Sequence, residues 1–228
     1  MTKITYKTEI VDGRCYFNDG DKYVLVDTGY GKTVAIDGHI GEFKALKCDK
    51  DGLQSFNPTL MPNGKKIGGI ICPMNGYNAM IRKDTVTIDD ESTELPACEW
   101  FIPFESPFAS IIHCKVEGSD KILFFDSGMK YAVIDDNSLI IGKDKKESIL
   151  EWIGMEKALA EVPYYNGTLE FPCGFRHEGV IEHDCIHFYV SQWKGIQGFL
   201  GLLCFFDQFD VYISTVGKKR GLALVARA

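Results

Sequence analysis

Two stretches of this chain, YVLVDTGYG at 23–31 and ILFFDSGMK at 122–130, run from an apolar segment straight into Asp-(Thr/Ser)-Gly. At an offset of 99, RCYFNDGDKYVLVDTG lies over HCKVEGSDKILFFDSG without a gap. Cys15 falls on Cys114, Asp21-Lys22 on Asp120-Lys121, Asp27 on Asp126, Gly29 on Gly128 and Val34 on Val133. With a short gap, IGGII…DTVTID at 67–89 resembles IQGFLG…FDVYIS at 196–214. Internal self-similarity means that each copy folds as the same unit. Each half therefore reads as a hairpin, an apolar strand, Asp-(Thr/Ser)-Gly, further strands, an apolar Gly-containing turn and a final strand. Prolines cluster in STELPACEWFIPFES, 92–106, and the halves divide there into residues 1–98 and 99–228.

The local patterns agree with a mostly β chain. TVAI (33–36), FKAL (43–46), DTVTI (84–88), ASIIHCKV (109–116), HFYV (187–190) and DVYI (210–213) are rich in β-branched and aromatic residues and bounded by turn formers. FNDGDKY and CDKDGLQ carry the Asp-Gly of hairpin turns. One segment, ESILEWIGMEKALAEV at 147–162, predicts a helix. Ser148 and Glu151 form a capping box, Ile149, Ile153 and Leu159 recur near helical spacing, and Pro163 ends it. A shorter helix is expected at LGLLCFFDQF, 200–209.

Composition removes several function classes. The 228 residues are 45% hydrophobic, enough for a sizeable core, and the formal net charge is -7. An acidic chain whose longest basic cluster is the mixed KDKKE at 143–147, a solvated loop or helix start, is not built to neutralise phosphates, so no nucleic acid is expected. No run approaches eighteen apolar residues, and MTKITYKTEI lacks a signal-peptide core, so no membrane and a cytoplasmic location are expected. None of the eight cysteines forms a CxxC pair, and Cys15, Cys114 and Cys204 lie in apolar runs, which favours reduced thiols.

The doubled motif resembles the pepsin and retropepsin aspartic proteases, which assemble one active site from two copies of Asp-(Thr/Ser)-Gly. The late segment GFLGLLCFFDQFDVYISTVGKKRGLALV and the close KKRGLALVARA are similar to the end of a pepsin-like lobe. The resemblance implies a mostly β, two-lobed acid-protease barrel fold with one or two helices. It implies a catalytic dyad of Asp27 and Asp126, supported by Thr28, Gly29, Ser127 and Gly128, with the two hydroxyls bonded across to the opposite loop. It further implies an endopeptidase acting on peptide or protein substrates, with no cofactor or metal, and with the full dyad in one chain so that a monomer suffices. The chemistry needs these residue types. Two adjacent carboxylates cannot both ionise, so they share a proton. One then acts as base towards a water while the other polarises the peptide carbonyl. The Gly permits the tight turn that exposes the carboxylate.

The chain departs from that pattern in places. Tyr30 and Met129 stand where the family usually places a small residue. The first half is short, its candidate flap is FKALKCDKDGLQSF at 43–56 without the expected tyrosine, and Cys72 stands where the second half has Gly201. The alternative is a two-lobed protein of the same fold that binds without catalysing. In HEGVIEHDCIH, 177–187, His183, Cys185 and His187 share one face of a strand, but the short paired spacing of a zinc site is missing. Hydrolases of the metallo-β-lactamase kind need a His-x-His cluster that five histidines do not supply here, and IGGII is unlike a nucleotide-binding glycine fingerprint. Tyr164, Tyr165 and Trp193 read as cleft or core.

Overall fold

The computed structural model describes residues 2–48, 67–92, 94–134, 145–150, 158–183 and 195–227. Its first half contains β1 (Lys3–Val11), β2 (Arg14–Asp19), β3 (Lys22–Val26), β4 (Val34–Ala35), β5 (His39–Ile40), β6 (Phe43–Lys44), β7 (Lys47–Cys48), β8 (Ile67–Ile71), β9 (Asn78–Ile81) and β10 (Thr85–Asp89), with a 3-10 turn at Pro73–Asn75. The second contains β11 (Trp100–Pro103), β12 (Ile111–Val116), β13 (Ser119–Asp126), β14 (Ala132–Ile134), β15 (Lys145–Leu150), β16 (Ala158–Glu170), β17 (Arg176–His183), β18 (Gly198–Gly201), helix α1 (Leu203–Phe206), β19 (Phe209–Ser214) and β20 (Gly221–Ala226). The described chain is mostly β.

The repeat is visible in the strand order. In each half a hairpin (β2–β3, β12–β13) delivers the strand that ends at the Asp motif. That strand pairs in parallel with a later one, β3 with β8 and β13 with β18. The later strand pairs antiparallel with a short strand, β8 with β4 and β18 with β14. The short strand is in turn parallel to β7 or β17. Strands from both halves also form a run ordered β11-β20-β19-β9-β10-β1 within one sheet, whose central pair joins the halves at Met80↔Tyr212. This order reads alike from either edge, so β9 answers β19 and β10 answers β20. The last echo in the sequence is therefore shifted by one strand: DVYIS corresponds to NAMI, and DTVTID corresponds to GLALVA.

The apolar strands explain the arrangement. β3 reads KYVLV, with all but its first residue buried, and β8 and β18 are buried throughout. Strands covered on both faces read as continuous apolar runs and take central positions. Both β-hairpin turns with two positive-φ residues, Asp12-Gly13 and Glu117-Gly118, meet the two-residue type I′ requirement. One apolar cluster spans both halves, from Cys15, Val26 and Ile81 to Ile112, Leu200 and Phe205.

The expected helix at 147–162 is overturned at both of its ends, 151–157 lying outside the described residues. Lys145–Leu150 and Ala158–Glu170 are antiparallel strands, registered from Lys145↔Pro163 to Leu150↔Ala158. KDKKE is correspondingly strand from Lys145 on. The capping signals are local, and helix propensity is worth only tenths of a kcal/mol per residue. Against it stands the pairing of β16 with β17, from Tyr164↔Glu182 to Glu170↔Arg176, and with β12 at Lys115↔Glu170 and Val116↔Leu169. Pro163 lies just outside the β17 pairing, where a missing N–H is tolerated. The short helix expected at 200–209 is reduced to Leu203–Phe206, between β18 and β19.

Candidate active site

Asp27 follows β3 and Asp126 ends β13, so each carboxylate sits at the end of a strand held on both sides. The N–H of Asp27 donates to the carbonyl of Ile71 at 3.0 Å, and Asp126 is registered with Gly201. The two loops are locked to each other through Thr28 and Ser127, both fully buried. Thr28 N–H donates to Ser127 Oγ at 3.0 Å, and Ser127 N–H donates to Thr28 Oγ1 at 3.0 Å. The hydroxyls continue the exchange. Thr28 Oγ1 donates to the carbonyl of Phe125 at 2.9 Å, and Ser127 Oγ donates to that of Val26 at 2.9 Å. Both N–H groups and both hydroxyls of the crossing are paired, as a buried polar network requires.

The glycines bring the carboxylates together. A Cβ on Gly29 would fall inside the Asp126 carboxylate, and one on Gly128 would stand 2.7 Å from Asp27 Cγ. Each carboxylate thus rests on the bare Cα of the opposite loop, and the two side chains are hydrogen-bonded to one another. Burial pushes both above the usual carboxylate range. Asp126 goes well above it, because the charge of Asp27 adds to its burial, while for Asp27 the hydrogen bond from Asp126 opposes the rise.

Backbone donors make the pair unequal. Asp27 Oδ1 accepts from Gly29 N–H at 2.8 Å and Tyr30 N–H at 3.0 Å. Asp126 Oδ1 accepts from Gly128 N–H at 2.8 Å, but Met129 N–H turns to the backbone carbonyl of Asp126 instead. Donors to a carboxylate favour its charged form. The ionised member is therefore Asp27, and Asp126 carries the proton.

The large residues after the motifs do not crowd the dyad. Tyr30 packs against the cluster of Tyr16, Tyr23, Leu25, Val34, Ile67 and Ile70. Met129 packs against Phe124, Val133, Ile196 and Phe199. These clusters correspond under the repeat and flank the two Asp loops. Cys72, buried beside the first loop, places Sγ 3.8 Å from the Thr28 carbonyl, and its N–H bonds Thr33 Oγ1 at 3.0 Å. Thr33 in turn donates its N–H to Asn75 Oδ1 at 2.5 Å. Thr33 and Asn75, which brace the first loop, carried no motif signal in the sequence.

The other candidates fall away from this site. Of the expected flap, Phe43–Lys44 and Lys47–Cys48 are strands with Phe43 buried, and its tip at 49–52 lies outside the described residues. Tyr165 is core and Tyr164 half-buried, and Trp193, Cys185 and the strand at 187–190 also lie outside them. Among the described residues no group of three or more His, Cys, Asp or Glu could hold a metal ion, and no helix is long and apolar enough to cross a membrane. Cys15, Cys72, Cys98, Cys114, Cys173 and Cys204 are free thiols. No family model matches this chain, and no curated protein matches it.

Proposed function

We propose that this chain is an aspartic endopeptidase on a two-lobed pepsin/retropepsin-like fold. The observation that carries the reading is the carboxyl pair, hydrogen-bonded to each other across reciprocally locked loops, with one member supplied with more backbone donors than the other. The symmetric strand order around β9 and β19 supports the fold half of the reading.

In this mechanism Asp27 is the base and Asp126 the acid. A water between them attacks the peptide carbonyl carbon. Its proton passes to Asp27, while the proton of Asp126 passes to the carbonyl oxygen, giving a neutral gem-diol. Collapse returns one hydroxyl proton to Asp126, and Asp27 gives its proton to the departing nitrogen. No covalent intermediate forms. The substrate is an extended peptide, bound by main-chain hydrogen bonds as in strand addition, with the clusters around Tyr30 and Met129 offering apolar contacts on either side. Nucleic acid is not a partner of so acidic a chain. The free thiols suit a reducing compartment, and we place the protein in the cytoplasm.

Cleavage of a mixed peptide library between about pH 3 and 7.5 tests the reading. Asp27→Asn and Asp126→Asn are each expected to lower kcat/KM by at least about 10³-fold. Wild-type protein that is folded yet cleaves nothing at any pH would leave the alternative, a binding protein of the same fold.

A further inference from the structure

The turn between β1 and β2 crosses from the first half onto the second Asp loop. Asp12 and Gly13 form it with φ of 48° and 74°, and a Cβ on Gly13 would stand 2.6 Å from Lys130 Cγ. Asp12 Oδ1 accepts from Lys130 Nζ at 2.6 Å, and its Oδ2 accepts from Arg14 Nη1 at 3.3 Å. Arg14, the first residue of β2, donates its Nε–H to the carbonyl of Gly128 at 2.6 Å. Gly128 is the residue whose own N–H holds Asp126. The repeat makes this contact one-sided, because the residue that matches Arg14 is His113, which is exposed on β12.

We propose that Arg14 is a positioning residue of the dyad: it clamps the second Asp loop from the first half and places a cation that holds the dyad's negative charge. The charges around it lead to this reading. Asp12, on the turn, faces two cations, Lys130 Nζ at 2.6 Å and Arg14 Nη1 at 3.3 Å, so one carboxylate meets two positive charges. Cys72, on the loop after β8, is neutral, since burial and the charge of Asp27 push its thiol up to about 12. Asp27 and Asp126 share a single negative charge. One positive charge among Asp12, Lys130 and Arg14 is left over, and the guanidinium, only 16% exposed, is attractive to both carboxylates. A guanidinium stays charged throughout the working pH range and donates from several N–H groups in a fixed fork, so one side chain can set both geometry and charge. A cation close to a carboxylate lowers the pH at which it ionises. Arg14 thus extends the singly ionised, working form of the pair to lower pH than the buried loops alone would allow.

The inference uses the peptidase reading for its kinetic consequence only, so the test has an arm that needs no substrate. Asp-labelled protein is titrated by carbon NMR, following the Asp27 and Asp126 carboxyl resonances in wild type, Arg14→Met and Arg14→Lys. In Arg14→Met the first ionisation of the pair is expected to rise by about one pH unit. In Arg14→Lys it should stay within a few tenths of a unit of wild type. The acid limb of the cleavage profile should move with it. A folded Met variant that titrates like wild type overturns the proposal. If the Met variant does not fold, the Lys variant decides, and a shift there as large as about a unit overturns it equally. Failure of wild type to cleave any peptide, with the titration behaving as expected, would remove the peptidase reading and leave Arg14 its role.

Discussion

Burial and the charge of Asp27 keep Asp126 protonated above the usual carboxylate range. In the unfolded chain the same group ionises near its ordinary value, about 3.9. Between those two points the folded state binds more protons than the unfolded one, so stability falls as pH rises through the window. The dyad is thus a destabilising feature at neutral pH, as functional sites often are. Asp126→Asn removes the titration and still offers Asp27 a donor. It is expected to melt about 2–4 °C above wild type at pH 7, with the gap closing below about pH 4. Thermal unfolding at the two pH values checks this, and equal melting temperatures at pH 7 would mean that Asp126 is not held protonated. At this scale the sequence was highly legible. Asp27, Thr28, Asp126 and Ser127 stood out because the motif occurs twice in register. Arg14 did not, because its partner is a backbone carbonyl 114 residues away, and such a carbonyl leaves no trace in residue identity.

The strands that carry the motifs were legible for a related reason: β3, β8 and β18 are short apolar runs, and burial on both faces writes itself into composition. β15 and β16 were not. Their helical signature is carried by a few residues in sequence, whereas their pairing depends on β17 and β12, which no short window contains. The pairing of the last echo failed similarly, since β9 and β10 are so alike in character that only the sheet order tells which answers β19. The elements also explain an unequal pair in the repeat. At Gly201 the backbone of Lys130 and Tyr131 comes so close that a Cβ would overlap it. At the matching position in the first half, Cys72 has room for its sulfur. Gly201→Ala is expected to cost about 2–3 kcal/mol in urea unfolding, and Cys72→Ala about 1. A neutral Gly201→Ala would show that β18 can withdraw from the second loop freely.

On the scale of the molecule, the two halves share a sheet through β9 and β19 and a single apolar cluster. They are expected to unfold in one cooperative transition, with far- and near-ultraviolet signals superimposing and the midpoint independent of protein concentration. Two separated transitions, or a midpoint that climbs with concentration, would contradict a joint core within one chain. The shared sheet has a further consequence. Two identical loops facing across a two-fold axis have no way of telling one end of a peptide from the other. Here Tyr30 N–H attends one carboxylate, Met129 N–H ignores its counterpart, and a guanidinium leans on one side only. A peptide strand has a beginning and an end. The two Asp loops of this chain are therefore not equivalent, and if the proposed peptidase reading holds, a peptide strand laid across them is expected to be read in one direction.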